Sequence, residues 1–179
     1  GTGVDGATVT IVDDDGKKHE ATTDGNGEAT VKDVPVPTEG TVTVTKDGKV
    51  VTVPVTVDEH GVMTPSTVDL SDANIATVTV TVVEKGTTTG IANATVTVGA
   101  QKVQAGVNGE VTLRLVKNGT YNGVTATASG YLNDTVTLTV NDAGTAVSPD
   151  KIELRKTAPV TVTVTAWLAS PSGEPGPTR

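Results

Sequence analysis

Alternation of valine with threonine constrains this chain more than any other feature. Thr77–Val83 reads Thr-Val-Thr-Val-Thr-Val-Val, Ala94–Val98 reads Ala-Thr-Val-Thr-Val, and Val160–Thr165 reads Val-Thr-Val-Thr-Val-Thr. A period of two sends successive side chains to opposite faces of a strand, and β-branched residues suit that pleated surface. Between such runs lie Asp13-Asp14-Asp15-Gly16, Asp24-Gly25-Asn26-Gly27, Asp47-Gly48 and Asn108-Gly109, the residue types that tolerate the backbone of tight turns. No segment carries a helical period, so the expected class is all-β. With no Phe, and with Tyr121, Tyr131 and Trp167 as the aromatics, the core has to be built from aliphatic side chains.

The alternating runs recur in order. Ala7-Thr8-Val9-Thr10-Ile11 matches Ala94-Thr95-Val96-Thr97-Val98, and Asn26-Gly27-Glu28 matches Asn108-Gly109-Glu110. Val68, Leu70, Val78, Val80 and Val82 map onto Ile152, Leu154, Val162, Val164 and Ala166 at one constant offset of 84. Such self-similarity marks a repeated unit. It divides the chain into an N-terminal unit at 1–72, a second unit at 73–156, and a final strand with a Pro/Gly-rich tail at 157–179.

Strands are predicted in the first unit at Ala7–Val12, Lys17–Thr22, Glu28–Val34, Gly40–Thr45, Val50–Val57 and, as a short closing strand, Thr67–Leu70. Pro54 marks an edge or a bulge, because proline donates no ladder bond. The second unit opens on Ala76–Val83 and continues through Ala94–Val98, Gln101–Ala105, Glu110–Val116, Gly123–Ala128, Thr135–Val140 and Lys151–Arg155. The first has no counterpart of that opening strand.

A net charge of −8 disfavours nucleic acid and anionic membrane surfaces and favours cations. The chain has no Cys, which removes disulfides and thiolate metal sites. No apolar run reaches the roughly 18 residues of a membrane-spanning helix, so membrane insertion is not expected. No charged-then-apolar leader precedes Gly1, so an exported protein would stand here in mature form.

Gly90–Val98, Asn108–Leu115 and the pair Gly130-Tyr131 follow the order of the carboxypeptidase regulatory-like domains, which this chain resembles. The first repeat keeps Gly6–Val12 and Thr23–Val31 but has no Gly-Tyr pair. That resemblance implies prealbumin-like (Ig-like) β-sandwiches of microbial surface proteins, acting as stalk, spacer or adhesive element. A related family, the collagen-binding-adhesin B-type domain, carries an isopeptide bond from a Lys on its first strand. Ala76–Val83 and Val160–Leu168 contain no Lys, so an internal bond of that kind is not expected.

The expected architecture is therefore two tandem prealbumin-like β-sandwiches, the first lacking its opening strand, plus an extra C-terminal strand. On that last strand, whose candidate donor residues also include Leu168, Val160, Val162, Val164 and Ala166 share one face, while Trp167 falls on the threonine side. The surplus strand suits the deficient unit of another chain, laid beside Ala7, Val9 and Ile11 or at the other open edge. Such augmentation is heterologous and propagates head to tail. Burying four aliphatic side chains gives on the order of 6–8 kcal/mol before ordering costs. The expectation is an extracellular, homopolymeric structural subunit, with Trp167 contacting the neighbouring copy. Three alternatives stand beside it: a slice of a covalent tandem array, a last strand attached to its own unit, and a monomeric adhesin stalk with a ligand site.

No cofactor is required by this reading. Asp13, Asp14 and Asp15 form one candidate calcium turn, and Asp58, Glu59, Asp69 and Asp72 a second group, with solvated turns as the competing reading. Asn93, Asn118 and Asn133 open glycosylation sequons. His19 and His60 are expected on the surface, without catalytic or metal-ligand spacing, so an enzyme is not expected. Tyr131 is expected to anchor a sandwich and Tyr121 to pack at a loop.

Overall fold

The structure is a computed structural model that describes residues 2–71, 74–158 and 162–165. Among these residues the fold is all-β, in two sheets, with no α-helix. None therefore is long and apolar enough to cross a membrane.

The part of the chain after Ile75 closes a complete sandwich. Its first strand, β6 (Ile75–Glu84), lies between β9 (Glu110–Val116) and β13 (Lys151–Leu154). It runs antiparallel to β9, from Ile75 opposite Val116 to Thr81 opposite Glu110. It runs parallel to β13, from Thr81 beside Lys151 to Glu84 beside Leu154. The facing sheet has the order β12-β11-β10-β7-β8, where β7 is Thr95–Val98, β8 Gln101–Gln104, β10 Thr120–Thr127, β11 Asp134–Val140 and β12 Val147–Ser148. Alternation directs the packing: Val78, Val80 and Val82 enter the core with Leu113, Val96, Ala126, Leu138 and Ile152, while Thr77 and Thr79 stay in water. Each such aliphatic burial stabilises by roughly 1.5–3 kcal/mol.

The earlier part of the chain repeats the second of these sheets strand for strand. β1 (Thr8–Val12), β2 (Lys18–Thr22), β3 (Thr38–Lys46), β4 (Lys49–Val57) and β5 (Met63–Thr64) take the order β2-β1-β3-β4-β5, the image of β8-β7-β10-β11-β12. Val9 lies opposite Val44 and Ile11 opposite Val42, and these meet Val51 and Val53 on β4. With Ala7 and Val55 they form a second core. β4 also touches β9 at one register position, Thr52 with Leu115, which joins both halves into an eight-stranded sheet. Pro54 falls between that contact and the β5 pairing that begins at Thr56, a stretch of edge where a residue without an N–H is tolerated.

Two predicted strands do not form. Glu28–Val34 and Thr67–Leu70 carry no ladder, although Val31, Val34, Val68 and Leu70 still pack against the first core. Their counterparts in the complete sandwich, β9 and β13, both take their hydrogen bonds from β6. Without a strand between them these segments have no ladder partner among the described residues, and Asp33 lies at φ 58° in the left-handed region. The strand missing from the first half is thus the middle of a sheet, where the sequence suggested an edge.

Candidate functional site

The inner face of β1, β3 and β4 is the candidate site. A cleft of about 410 Å³ opens on it, lined by Val9, Ile11, Val31, Val34, Val57 and Met63 among others. Period-two alternation places Val9 and Ile11 inward, and Ala7 is fully buried beside them. β1 pairs with β2 on one side and with β3 on the other, so its backbone offers no edge. Addition of a strand beside Ala7–Val12 is therefore closed, contrary to one of the two placements expected from sequence.

Of the expected donor residues, Val162 and Val164 are 76% and 84% exposed and belong to neither sheet, so this part of the segment is not attached to its own unit. Val160, Ala166, Trp167 and Leu168 lie outside the described residues.

The Asp13–Gly16 turn is not a simple solvated turn. His19 was expected on the surface, but the β1–β2 register sets it opposite Ile11, and it is buried. Its Nε2 meets the carboxylate of Asp13 at 3.0 Å, and Asp13 also accepts the backbone N–H of Lys17 at 2.7 Å. An ionised carboxylate only accepts, so Nε2 carries the proton. The His19 hydrogen bond, more than any other cause, holds the Asp13 carboxyl below its usual range. Asp14 instead accepts from the Thr38 hydroxyl at 2.9 Å, and Asp15 is exposed.

In the second candidate group, Asp58 accepts the backbone N–H groups of His60 and Val62, and Asp69 accepts both donors of Ser71, which lower its carboxyl. Glu59 is exposed, and Asp72 lies outside the described residues. Among the described residues no three acidic or imidazole side chains converge as a cation site. Asn93, Asn118 and Asn133 are all exposed, the first two at φ 59° and 58°.

Sequence reasoning missed the seam between the two halves. Tyr121, expected at a loop, is fully buried: its hydroxyl donates to the Thr52 carbonyl and accepts from the Val116 N–H, each at 2.7 Å. Gln101 bridges the backbone N–H and C=O of Arg114 and reaches the Thr52 hydroxyl at 3.4 Å. The Thr43 hydroxyl bonds that of Thr52 at 3.0 Å and accepts the Ala100 N–H at 3.3 Å. The one signal available in sequence was a polar residue, Gln101, at an inward position of an alternating strand. Tyr131 is half-buried, its hydroxyl donating to Glu84 at 3.3 Å.

No family model and no curated protein matches the sequence. The resemblance to carboxypeptidase regulatory-like domains therefore rests on its motifs alone. Among solved structures, the chain is similar to GBS52, the minor pilin of the gram-positive pathogen Streptococcus agalactiae, at 16% identity and a TM-score of 0.34 over 92% of this chain and 89% of that one. It is also similar to the Bacillus anthracis TIE protein, at 15% identity and a TM-score of 0.36 over 87% of this chain and 31% of that one.

Proposed function

We propose that this chain is a structural subunit of an extracellular filament, in which the C-terminal segment of one copy completes the first half-sandwich of the next. The observation that carries the reading is the unequal folding of two similar halves. The second has both of its sheets, while the first, at 1–72, has one sheet and an apolar cleft. Within these 179 residues the spare copy of the β6 pattern is the stretch at 160–168. Its valines 162 and 164 stand in water in the isolated chain, which favours a partner outside the chain's own sandwich. Nothing in this reading calls for catalysis, a cofactor or a membrane.

The test is assembly of the full chain against a form ending at Lys156. Negative-stain microscopy and sedimentation are expected to show linear polymers of the full chain, dissociating to single chains on boiling in detergent, and a monomer for the shortened form. Equal polymerisation of both forms overturns the proposal. A full chain that stays monomeric and binds a specific surface ligand favours the adhesin-stalk reading.

A further inference from the structure

Resting on that reading, we infer that the incoming segment enters as the middle strand of a new sheet, between Glu28–Val34 and Thr67–Leu70, with Ala166 clamped by the backbone of Val4 and Gly27. In the complete sandwich, the N–H of Val82 donates to the Gly109 carbonyl and the Val82 carbonyl accepts the N–H of Ile91, each at 2.8 Å. Those two groups are brought together where Gly90 packs on the Asn108-Gly109 turn, so closely that a Cβ on Gly90 would lie 1.8 Å from the Asn108 carbonyl oxygen. The first half builds the same structure. A Cβ on Gly3 would lie 1.8 Å from the Asn26 carbonyl oxygen, and Val4 and Gly27 stand where Ile91 and Gly109 stand.

In the first half, however, no described residue occupies the place of Val82. Among the described residues the Val4 N–H has no acceptor and the Gly27 carbonyl no donor. A donor and an acceptor are thus held apart at the spacing of one strand residue. The constant offset of 84 brings Ala166 to that residue.

The rest of the register follows from the second sandwich. Val78 lies opposite Leu113 and Val80 opposite Val111, while Val82 and Glu84 run beside Ile152 and Leu154. The corresponding pairs are Val162 with Val31, Val164 with Ala29, Ala166 with Val68, and Leu168 with Leu70. The segment runs antiparallel to 28–34 and parallel to 67–70. Both flanking segments gain the ladder partner they lack, and their valines and leucine already rest on the core the donor would cover. Arg155–Ala158 matches Ser71–Asn74 in length, so the donor leaves its own sandwich on the connector that carries β6 out of the first half. Trp167 takes the place of Val83, which is buried in the complete sandwich.

The chain has no native Cys, so paired cysteines read the register directly. Oxidation of the assembled V31C/V162C protein is expected to give a thiol-reversible ladder of multimers on a denaturing gel. Each single variant, and the shifted pair V31C/V164C at a diagonal separation of ~7–8 Å, should give none. Polymers that cross-link through the shifted pair, or through an E20C/T163C pair at the β2 edge, overturn the middle-strand register and leave head-to-tail assembly standing. Failure of the unmodified chain to polymerise overturns both.

Discussion

The Tyr121 hydroxyl, at the base of the second sandwich, reaches the backbone carbonyl of Thr52 in the first over 2.7 Å and accepts the Val116 N–H at the same distance. Burial pushes this phenol above its ordinary range, so it remains a donor throughout the physiological range. Tyr121→Phe leaves two backbone groups unpaired. It is expected to cost about 1–3 kcal/mol in denaturant unfolding, while substitution of the half-buried Tyr131 by Phe costs less.

Beside that contact, Thr41 buries a hydroxyl that has no hydrogen-bond partner among the described residues. Thr41→Val keeps the shape and removes the unsatisfied oxygen, so stability should be unchanged or rise by up to about 1 kcal/mol in urea melts. Gly99 faces the same hydroxyl with φ 57°, and an added Cβ would lie 2.2 Å from it. Gly99→Ala should therefore destabilise by at least about 1 kcal/mol, and less so in a Thr41→Ala background.

Charge on the exposed valines separates assembly from folding. Val162→Asp with Val164→Asp is expected to abolish polymers in sedimentation, because a carboxylate in an apolar cleft is costly. The melting temperature of the monomer should stay where it was, since both side chains are exposed there.

Acid sensitivity has a defined sign. The folded carboxyls of Asp13, Asp24 and Asp69 are all lowered, Asp13 chiefly by His19 and Asp24 chiefly by the Glu28 N–H. A depressed carboxyl stabilises the fold above its unfolded value, and that contribution is lost as pH falls below about 4 toward the folded value. Asp13→Asn and Asp24→Asn should each flatten the loss of stability below pH 4 in unfolding titrations.

The alternation of Val with Thr was enough to locate most strands and their inward faces, because a strand's side-chain period is local. Glu28–Val34 shows where that stops: its pattern reads as a strand, yet whether it pairs depends on a partner far along the chain. β12 was missed because Val147–Ser148 is too short to show a period. The Asp13–His19 pair and the Tyr121 seam are products of hairpin register and of the meeting of two halves, which residue spacing alone does not encode. That Val9 and Ile11 turn toward a core was legible, but that 28–34 and 67–70 would lack a ladder was not, because that depends on which strand lies between which.

In the second sandwich the first strand and the last lie side by side and parallel, Thr81 to Glu84 along Lys151 to Leu154. Tension entering at the start of β6 and leaving at the end of β13 pulls those strands in opposite directions along their common axis. The ladder between them is loaded in shear, its bonds sharing the force together, where an antiparallel hairpin pulled from its open end would yield one bond at a time. A chain of such units would transmit load along its length through the same strands that close each sandwich.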